Sequence, residues 1–289
     1  MDFNCKYSEY LSFVENALAE HFYNAEESRP QIIASAMKYA VEGGGKRIRP
    51  VLLIAAGEML NVDKEELKEF AVSVELIHSY SLVHDDLPCM DNDDYRRGKF
   101  STHKKFGEAI GVLCGDALLS DAAETVLNKK NFTDKDAKSL KLLFEFSGSK
   151  GMIKGQVLDI EGENADNPCE NDLTEIFLNK TSMLLTAPLL IASVKAGDKY
   201  YDFLKQYGFK LGLLFQIADD ILDYEGEFSV IGKTPHKDEN KINSIKIYGL
   251  NGAKEKVKNL YSECEDVLSQ IPESDFLRQF TKYIYERKK

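Results

Sequence analysis

The chain has 289 residues, 43% of them hydrophobic, so it is long enough to bury a large core. Its 37 basic and 48 acidic residues give a formal net charge of -11, which argues against a general nucleic-acid binder, because such proteins usually carry a basic surplus. Its five cysteines form no paired motif, which argues against a disulfide framework or a zinc site and predicts a reduced, cytoplasmic setting.

The first part of the chain predicts three helices, over residues 7–26, 31–41 and 51–60. Before the third helix lies GGGKRIRP, residues 43–50, in which three glycines let the backbone approach a ligand closely. A helix start, its exposed amides and the cations Lys46, Arg47 and Arg49 together predict an anion-binding site. A glycine turn with solvated basic side chains is the structural alternative, and the spacing is not that of a P-loop.

A fourth helix is predicted from Lys64 to Leu87, with Asp63 as its cap and Pro88 ending it. His78 shares a face of this helix with Asp85, at which the acidic stretch DDLPCMDNDDYRRG begins. Such a histidine is either an ordinary core residue or a contact for a phosphate or a water molecule beside the acids.

The acidic stretch places Asp85, Asp86 and Asp91 at the end of that helix and just beyond it. Such oxygen clusters suit a hard cation, and Mg²⁺ takes only one or two carboxylates beside waters and substrate phosphates. The stretch therefore predicts a magnesium ion shared with a phosphorylated ligand, and a solvated acidic turn is the alternative. Arg96 and Arg97 follow, and their bidentate forks suit phosphate oxygens.

The middle of the chain predicts helices over residues 101–130, 134–163 and 173–195. The last of these carries Lys180 and Thr181 on an apolar background, where a lysine either reaches solvent or meets an anion. Pro188 is expected to kink this helix. Its apolar stretch, residues 183–194, is shorter than a membrane span, which predicts no stable membrane insertion.

A helix over residues 199–225 carries the second acidic cluster. Gln216, Asp219, Asp220 and Asp223 fall at positions i, i+3, i+4 and i+7, which is one face of a helix. Apolar residues cover the other side, so the helix is expected to be buried, and its acids must meet cations, protons or each other. The two acidic stretches together predict a metal-dependent site for a polyanion, built from two helices distant in sequence.

The last part of the chain predicts a polar loop over residues 226–243 and two helices over residues 250–288. The loop contains Lys233, Lys237 and Lys241 and is expected to close over a bound ligand. Helical patterns cover nearly the whole sequence. We therefore expect an all-α protein, folded as a single domain over residues 1–289 around a central cleft.

The chain resembles the trans-isoprenyl diphosphate synthases, or polyprenyl synthetases, and most of all the bacterial farnesyl diphosphate synthases. The resemblance covers about residues 43–249 and rests on five motifs in family order: GGGKRIRP, SLVHDDLPCMDNDDYRRG, GMIKGQVLDIE, KT at 180–181 and GLLFQIADDILD. It implies the isoprenoid-synthase helical bundle around a central cavity and a homodimer. It also implies the magnesium-dependent head-to-tail condensation of isopentenyl diphosphate with allylic diphosphates to farnesyl diphosphate.

The resemblance also implies a role for each candidate residue. The metal ligands are Asp85, Asp86, Asp91, Asp219 and Asp223, with Asp220 in the second acidic motif. The isopentenyl diphosphate site consists of Lys46, Arg49, His78 and Arg97. The residues around the allylic substrate are Arg96, Lys180, Thr181, Gln216 and Lys233. The segment after Lys233 departs from the family pattern, so either Lys237 or Lys241 could act as the expected downstream lysine.

Product length is the feature on which the alternatives differ. Tyr80 lies five residues before Asp85, and Pro88-Cys89 matches a two-residue insertion of the bacterial C15 enzymes, which favours farnesyl diphosphate. A geranylgeranyl diphosphate synthase is the first alternative. A terpene cyclase would have no need of GGGKRIRP, and a non-catalytic synthase subunit is supported only by the departing segment after Lys233.

Overall fold

In the computed structural model, residues 2–25, 29–163, 165, 167–226 and 241–287 are described. They form helices almost throughout, which confirms the predicted all-α class. The elements before residue 150 are α1 Phe3–Ala25, α2 Gln31–Val41, α3 Ile48–Met59, α4 Lys64–Asp85, β1 Tyr95–Arg96, β2 Lys99–Phe100, α5 Thr102–Phe106, α6 Glu108–Leu127 and α7 Asp134–Ser147. Those after it are α8 Met152–Gly162, α9 Glu170–Phe177, a π turn Leu178–Ser182, α10 Met183–Lys195, α11 Tyr201–Glu225, α12 Ser244–Leu268 and α13 Asp275–Tyr285.

The chain forms two compact units. The first comprises Met1–Ile54 and Asp63–Leu140, and the second comprises Ala55–Val62 and Lys141–Lys289. The expectation of one domain over residues 1–289 stays a prediction.

In the first unit, α4 packs against α6, α1 and α2. Its Phe70, Leu76 and Ile77 are fully buried, and Asp63 caps its first turn by accepting a hydrogen bond from the Glu65 amide, as predicted. Gly115 makes the close approach of α6 possible, because a Cβ there would lie 2.0 Å from Nε2 of His84. The helix that ends in the first acidic stretch is thus held firmly by its neighbours.

In the second unit, α11 packs against α10, α12 and α13. Tyr207 of α11 is fully buried, and its hydroxyl contacts Oγ1 of Thr281 on α13 at 3.0 Å. Gly208 and Gly212 bring α11 close to its neighbours, since a Cβ at either position would lie under 3 Å from Thr186 or Ser182. The second acidic cluster therefore stands on the C-terminal half of a helix whose N-terminal half has one buried face.

Two predicted long helices are broken in the structure. The helix expected over residues 101–130 is interrupted at Gly107, whose φ of 92° is left-handed. The one expected over residues 134–163 is divided between Ser147 and Met152. In both cases the helical pattern predicts the helix but not its break at glycine.

The kink expected at Pro188 stays a prediction, but the structure has a different irregularity earlier in this helix. Pro188 lies inside α10, and the irregular turn is Leu178–Ser182, in which the Met183 amide donates to the Leu178 carbonyl, five residues back. The neighbouring helix α8 packs directly on this turn, because a Cβ on Gly155 would lie 2.1 Å from the Lys180 amide nitrogen. The turn widens the helix at Lys180 and Thr181.

A short antiparallel hairpin was not predicted. Tyr95 pairs with Phe100 and Arg96 with Lys99, across a two-residue turn of Arg97 and Gly98. Both turn residues have positive φ, 54° and 75°, which tight hairpin turns require. In this hairpin the two arginine side chains have different partners, Asp86 for Arg96 and the Gly44 carbonyl for Arg97.

One helical stretch, Glu170–Lys195, is long and apolar enough to cross a membrane by composition alone. This stretch is longer than the apolar stretch 183–194 considered above, because α9, the π turn and α10 form one continuous helical segment. However, 83% of its most apolar window is buried inside the structure, as in the core helix of a soluble protein. The expected absence of stable membrane insertion stays a prediction.

Candidate active site

The first acidic stretch forms a compact turn at the end of α4. The helix ends at Asp85, close to the break expected before Pro88, and Asp86 caps it. The chain then folds back, so that the Asp91 amide donates to the Asp85 carbonyl at 2.9 Å and the Asp93 amide to that of Asp86. The turn gathers the three predicted metal ligands at one helix end, with the exposed Cys89 between them.

Asp86 is already paired with a cation. It is 3% exposed, and its Oδ1 accepts hydrogen bonds from Nε of Arg96 at 2.9 Å and from Nη2 of the same residue. Burial alone would lower the pKa of Arg96, but the hydrogen bond and charge of Asp86 raise it above its ordinary value. The two residues, predicted for metal and allylic substrate respectively, therefore act on each other directly.

Three of the four predicted isopentenyl diphosphate residues, Arg49, His78 and Arg97, lie close together in the first unit. Nη1 of Arg49 lies 3.2 Å from Nε2 of His78, and Nη1 of Arg97 donates to the Gly44 carbonyl. Gly45 allows this approach, because a Cβ there would lie 2.8 Å from the Arg97 guanidinium. The predicted anion site at GGGKRIRP is thus joined to the hairpin and to α4.

His78 is a neutral member of this cluster. Burial lowers its pKa well below the ordinary value, and the charge of Arg49 lowers it further. The neutral ring can accept the hydrogen bond from Arg49 at Nε2. His78 therefore orients a guanidinium and adds no positive charge of its own.

A small cavity of about 30 Å³ lies beside the Asp86–Arg96 pair. Ser79 of α4, Gly43 and Arg97 also line it. Its lining is mixed, with these polar groups among apolar side chains, and its volume is large enough to hold a water molecule.

In the second unit, polar groups form a chain of hydrogen bonds from the π turn to α12. Oγ1 of Thr181 donates to Oε1 of Gln216 at 2.9 Å, and Nε2 of Gln216 lies 3.3 Å from Oδ1 of Asp220. Oδ2 of Asp220 in turn accepts from the Ser244 amide at 2.7 Å. Burial raises the pKa of Asp220 to about 6, although these hydrogen bonds oppose the shift.

Asp159 of α8 holds two of the predicted cations. It is 6% exposed, and its Oδ2 lies 2.5 Å from Nζ of Lys180 and 3.7 Å from Nζ of Lys241. Through this shared contact with Asp159, Lys241 lies near Lys180 of the π turn. The sequence did not assign a role to Asp159. The one indication of a role is that Asp159 and Gln156 are polar residues three positions apart on an apolar helix.

Asp219 pairs with a residue that was not predicted at all. Its Oδ1 contacts Nη2 of Arg287, just after α13, and the Arg287 guanidinium lies 5.0 Å from the ring centre of Phe215. Asp223 is exposed, so the acid face of α11 is less buried than expected. No sequence signal tied Arg287, near the end of the chain, to this face.

Within the described ranges, no three acidic, histidine or cysteine side chains converge as a preformed metal centre. The donor set still fits Mg²⁺, because the acidic turn offers adjacent carboxylates and this ion needs only one or two beside phosphate and water. Lys233 and Lys237 lie outside the described residues. The predicted convergence of the two acidic stretches on one cavity stays a prediction.

Comparison with known proteins gives a consistent result. The family model described as "Polyprenyl synthetase" matches residues 30–274. The farnesyl diphosphate synthase of Micrococcus luteus is 38% identical over 97% of this chain and 97% of its own length. Geranylgeranyl pyrophosphate synthase 4 of Arabidopsis thaliana is 39% identical over 83% of this chain and 66% of its own.

A solved structure also matches. It is a geranyltransferase from Helicobacter pylori complexed with magnesium and isoprenyl diphosphate. The TM-score is 0.80 and the identity 32%, with 95% of each chain covered.

Proposed function

Since the chain belongs to the polyprenyl synthetase family, we propose that it is a prenyltransferase that makes farnesyl diphosphate. It condenses isopentenyl diphosphate head to tail, first with dimethylallyl and then with geranyl diphosphate. The observation that carries the proposal is the cluster of Arg49, His78 and Arg97 beside the acidic turn, which provides an anion site next to carboxylates suited to Mg²⁺.

Isopentenyl diphosphate binds to the cationic cluster. Lys46 is exposed at the loop, and Arg49 and Arg97 present guanidinium forks that suit phosphate oxygens. His78 holds Arg49 in place as a hydrogen-bond acceptor. The residues therefore fix the nucleophilic substrate by its charged end and leave its double bond free to react.

The allylic diphosphate is bound through magnesium and cations. Asp85, Asp86 and Asp91 would hold metal at the first stretch, and Asp219 and Asp223 at the second. When bound, the metal neutralises the charge of the departing diphosphate as a Lewis acid. Arg96 is fixed by Asp86 at the first of these sites, and its remaining N–H groups can face phosphate oxygens.

The positive charge that develops on the allylic carbon requires fixed dipoles. Thr181 and Gln216 are held by their mutual hydrogen bond, and Lys180 is held by Asp159. Oriented groups of this kind stabilise charge without reorganising during the reaction. Both Lys180 and Thr181 belong to the π turn, and Thr181 donates its hydrogen bond to Gln216 on α11.

We favour a C15 product. Tyr80 is 5% exposed and lies on α4 before the acidic turn, where a bulky ring would shorten the space for a growing chain. The similarity to a geranylgeranyl pyrophosphate synthase keeps the C20 product as the second candidate.

Purified protein with labelled isopentenyl diphosphate, geranyl diphosphate and Mg²⁺ tests the proposal. We expect a C15 diphosphate whose formation stops when EDTA removes the metal. A C20 diphosphate would select the second candidate, and the absence of any metal-dependent product would reject prenyl transfer.

We also propose that the protein is a homodimer. Apolar side chains are exposed on two helices, as Val112 and Leu113 on α6 and as Ile153, Val157 and Ile160 on α8. Light scattering should give twice the 32.6 kDa mass of the chain. A monomer mass at micromolar concentration would refute this assembly.

A further inference from the structure

Arg47 differs from the other cations of the loop over residues 43–50, because its side chain is buried. It is 3% exposed, whereas its neighbour Lys46 is exposed. Its φ is 46°, in the left-handed region that non-glycine residues adopt only at a cost in free energy. Such a conformation persists where surrounding contacts hold it.

Three contacts hold the Arg47 guanidinium, each to a different helix. Nη1 donates to Oε1 of Glu75 on α4 at 2.8 Å, and Nε donates to Oε1 of Glu15 on α1 at 2.8 Å. Nη2 donates to the Val41 carbonyl at the end of α2 at 2.6 Å. The planar fork of arginine suits three fixed acceptors, so this residue ties the loop to α1, α2 and α4 together.

Glu75 is the buried partner of this pair. It is 1% exposed and lies one turn before His78 on α4. Its second oxygen, Oε2, is buried and has no hydrogen-bond partner within the described part of the chain, which is unfavourable for a carboxylate. Its charge nevertheless acts on the neighbouring cations.

The cations around Glu75 repel one another. Burial lowers the pKa of Arg49 to about 10, and the charge of Glu75 opposes that shift while Arg97 adds to it. One buried carboxylate therefore allows several cations to collect where a diphosphate is to bind.

We propose that Arg47 and Glu75 are positioning residues for isopentenyl diphosphate. Their buried pair holds the loop so that Lys46 is directed outward and Arg49 lies against His78. Neither residue contacts the substrate. Their role rests on the proposed condensation, of which isopentenyl diphosphate is one substrate.

Two variants disrupt the pair in different ways. Arg47→Lys keeps the charge, but an ammonium group cannot contact the three acceptors as a planar fork does. Glu75→Gln keeps the size of the side chain and removes its charge. Asp121→Asn is the matched control, because it breaks the Arg29–Asp121 ion pair, which lies in the same unit and outside the anion site.

Binding and turnover are both measured. Calorimetric titration with isopentenyl diphosphate gives Kd, and steady-state kinetics give separate KM values for isopentenyl and geranyl diphosphates. We expect Kd and KM for isopentenyl diphosphate to rise about tenfold in both variants. The KM for geranyl diphosphate should change less than about twofold, and Asp121→Asn should leave the Kd unchanged.

Three outcomes would overturn the role of Arg47 and Glu75. They are wild-type affinity in both variants, an equal loss for both substrates, and an equal loss of affinity in Asp121→Asn. Wild-type protein that binds isopentenyl diphosphate but forms no product would refute the proposed function alone, since the Kd comparison would still decide the role of the pair.

Discussion

Single residues in the two units have contacts that their sequence motifs do not specify. Asp86 and Asp219 belong to two similar acidic motifs, yet one pairs with the nearby Arg96 and the other with the distant Arg287. The first pairing could be expected from a spacing of ten residues across a turn. The second depends on how α13 ends against α11, which no local pattern contains.

At Tyr80, replacement by alanine should lengthen the product. The ring is buried, and removing it would deepen the space beyond the acidic turn. Mass spectrometry of the prenyl products should show C20 or longer chains. Unchanged chain length would remove Tyr80 as the determinant.

Tyr80→Phe is the matched control. The Tyr80 hydroxyl is buried and has no hydrogen-bond partner among the described residues. Its removal leaves the ring volume intact, so the product should stay the same. A longer product from the phenylalanine variant would show that ring volume is not what matters.

At Arg287, replacement by glutamine should lower the Mg²⁺ concentration needed for half-maximal activity. The guanidinium occupies Asp219, so a metal ion must compete with it. We expect a change of about two- to fivefold, because partly exposed ion pairs contribute up to about 1 kcal/mol. A magnesium titration of activity measures this.

The control for Arg287 is Lys282→Gln, an exposed position on α13 that faces Glu286. It removes the same charge at a distance from Asp219. An equal shift in both variants would attribute the effect to net charge rather than to the pair.

At the scale of elements, helix positions were predictable and helix interruptions were not. The bounds of α2 match the prediction because Pro30 precedes its first residue and glycines follow its end. The π turn could not be predicted, because it depends on glycines of α8 and α11 that let those helices contact it. The hairpin turn did leave a signal, Arg97-Gly98, but it is too short to stand out.

Gly155→Ala should destabilise the protein. The added Cβ would lie 2.1 Å from the Lys180 amide nitrogen, so α8 and the π turn would have to separate. Overpacking of this kind costs about 1–3 kcal/mol, and thermal denaturation would report it. Activity at low temperature should also fall, because Lys180 and Thr181 would move.

Glu161→Ala is the control on the same helix. Its side chain is exposed, so the substitution should change the midpoint of thermal denaturation little. Equal destabilisation by both substitutions would show that the close approach at Gly155 is not the cause.

At the scale of the molecule, the sequence predicted the class of fold and most of the cationic cluster at Arg49, His78 and Arg97. The loop, His78 and the arginines are close in sequence to α4, so their association could be inferred. Asp159, Glu75 and Arg287 could not be assigned, because their partners come from other helices. Each of them pairs with a residue of a sequence motif. Motifs therefore predict candidate ligands more readily than the residues that hold those ligands in place.

The stability of the whole protein should depend on His21. Burial lowers its pKa to about 4 from an ordinary 6.5, and the charge of Arg29 adds to the shift. Oγ1 of Thr125 lies 3.5 Å from Nδ1 of His21, and Arg29 itself pairs with Asp121. Since the unfolded state binds the proton more readily, stability is complete above pH 6.5 and is lost as the pH falls towards 4.

His21→Gln should therefore lose less stability between pH 7 and pH 5 than the wild type. Urea denaturation at both values gives the free energies of unfolding. Asp121 titrates in both proteins, so its contribution cancels in the comparison. Parallel losses in the two proteins would contradict the role of His21.

The exposed Cys89 is a site at which a fluorescent dye can be attached to the acidic turn. Burial raises the pKa of Cys114 and of Cys264 to about 12, so those thiols should resist maleimide dyes, and serine can replace the exposed Cys5 and Cys169. A fluorophore on Cys89 would stand among the carboxylates themselves. Its emission could then follow cation and substrate arrival in a stopped-flow instrument, before any carbon–carbon bond has formed.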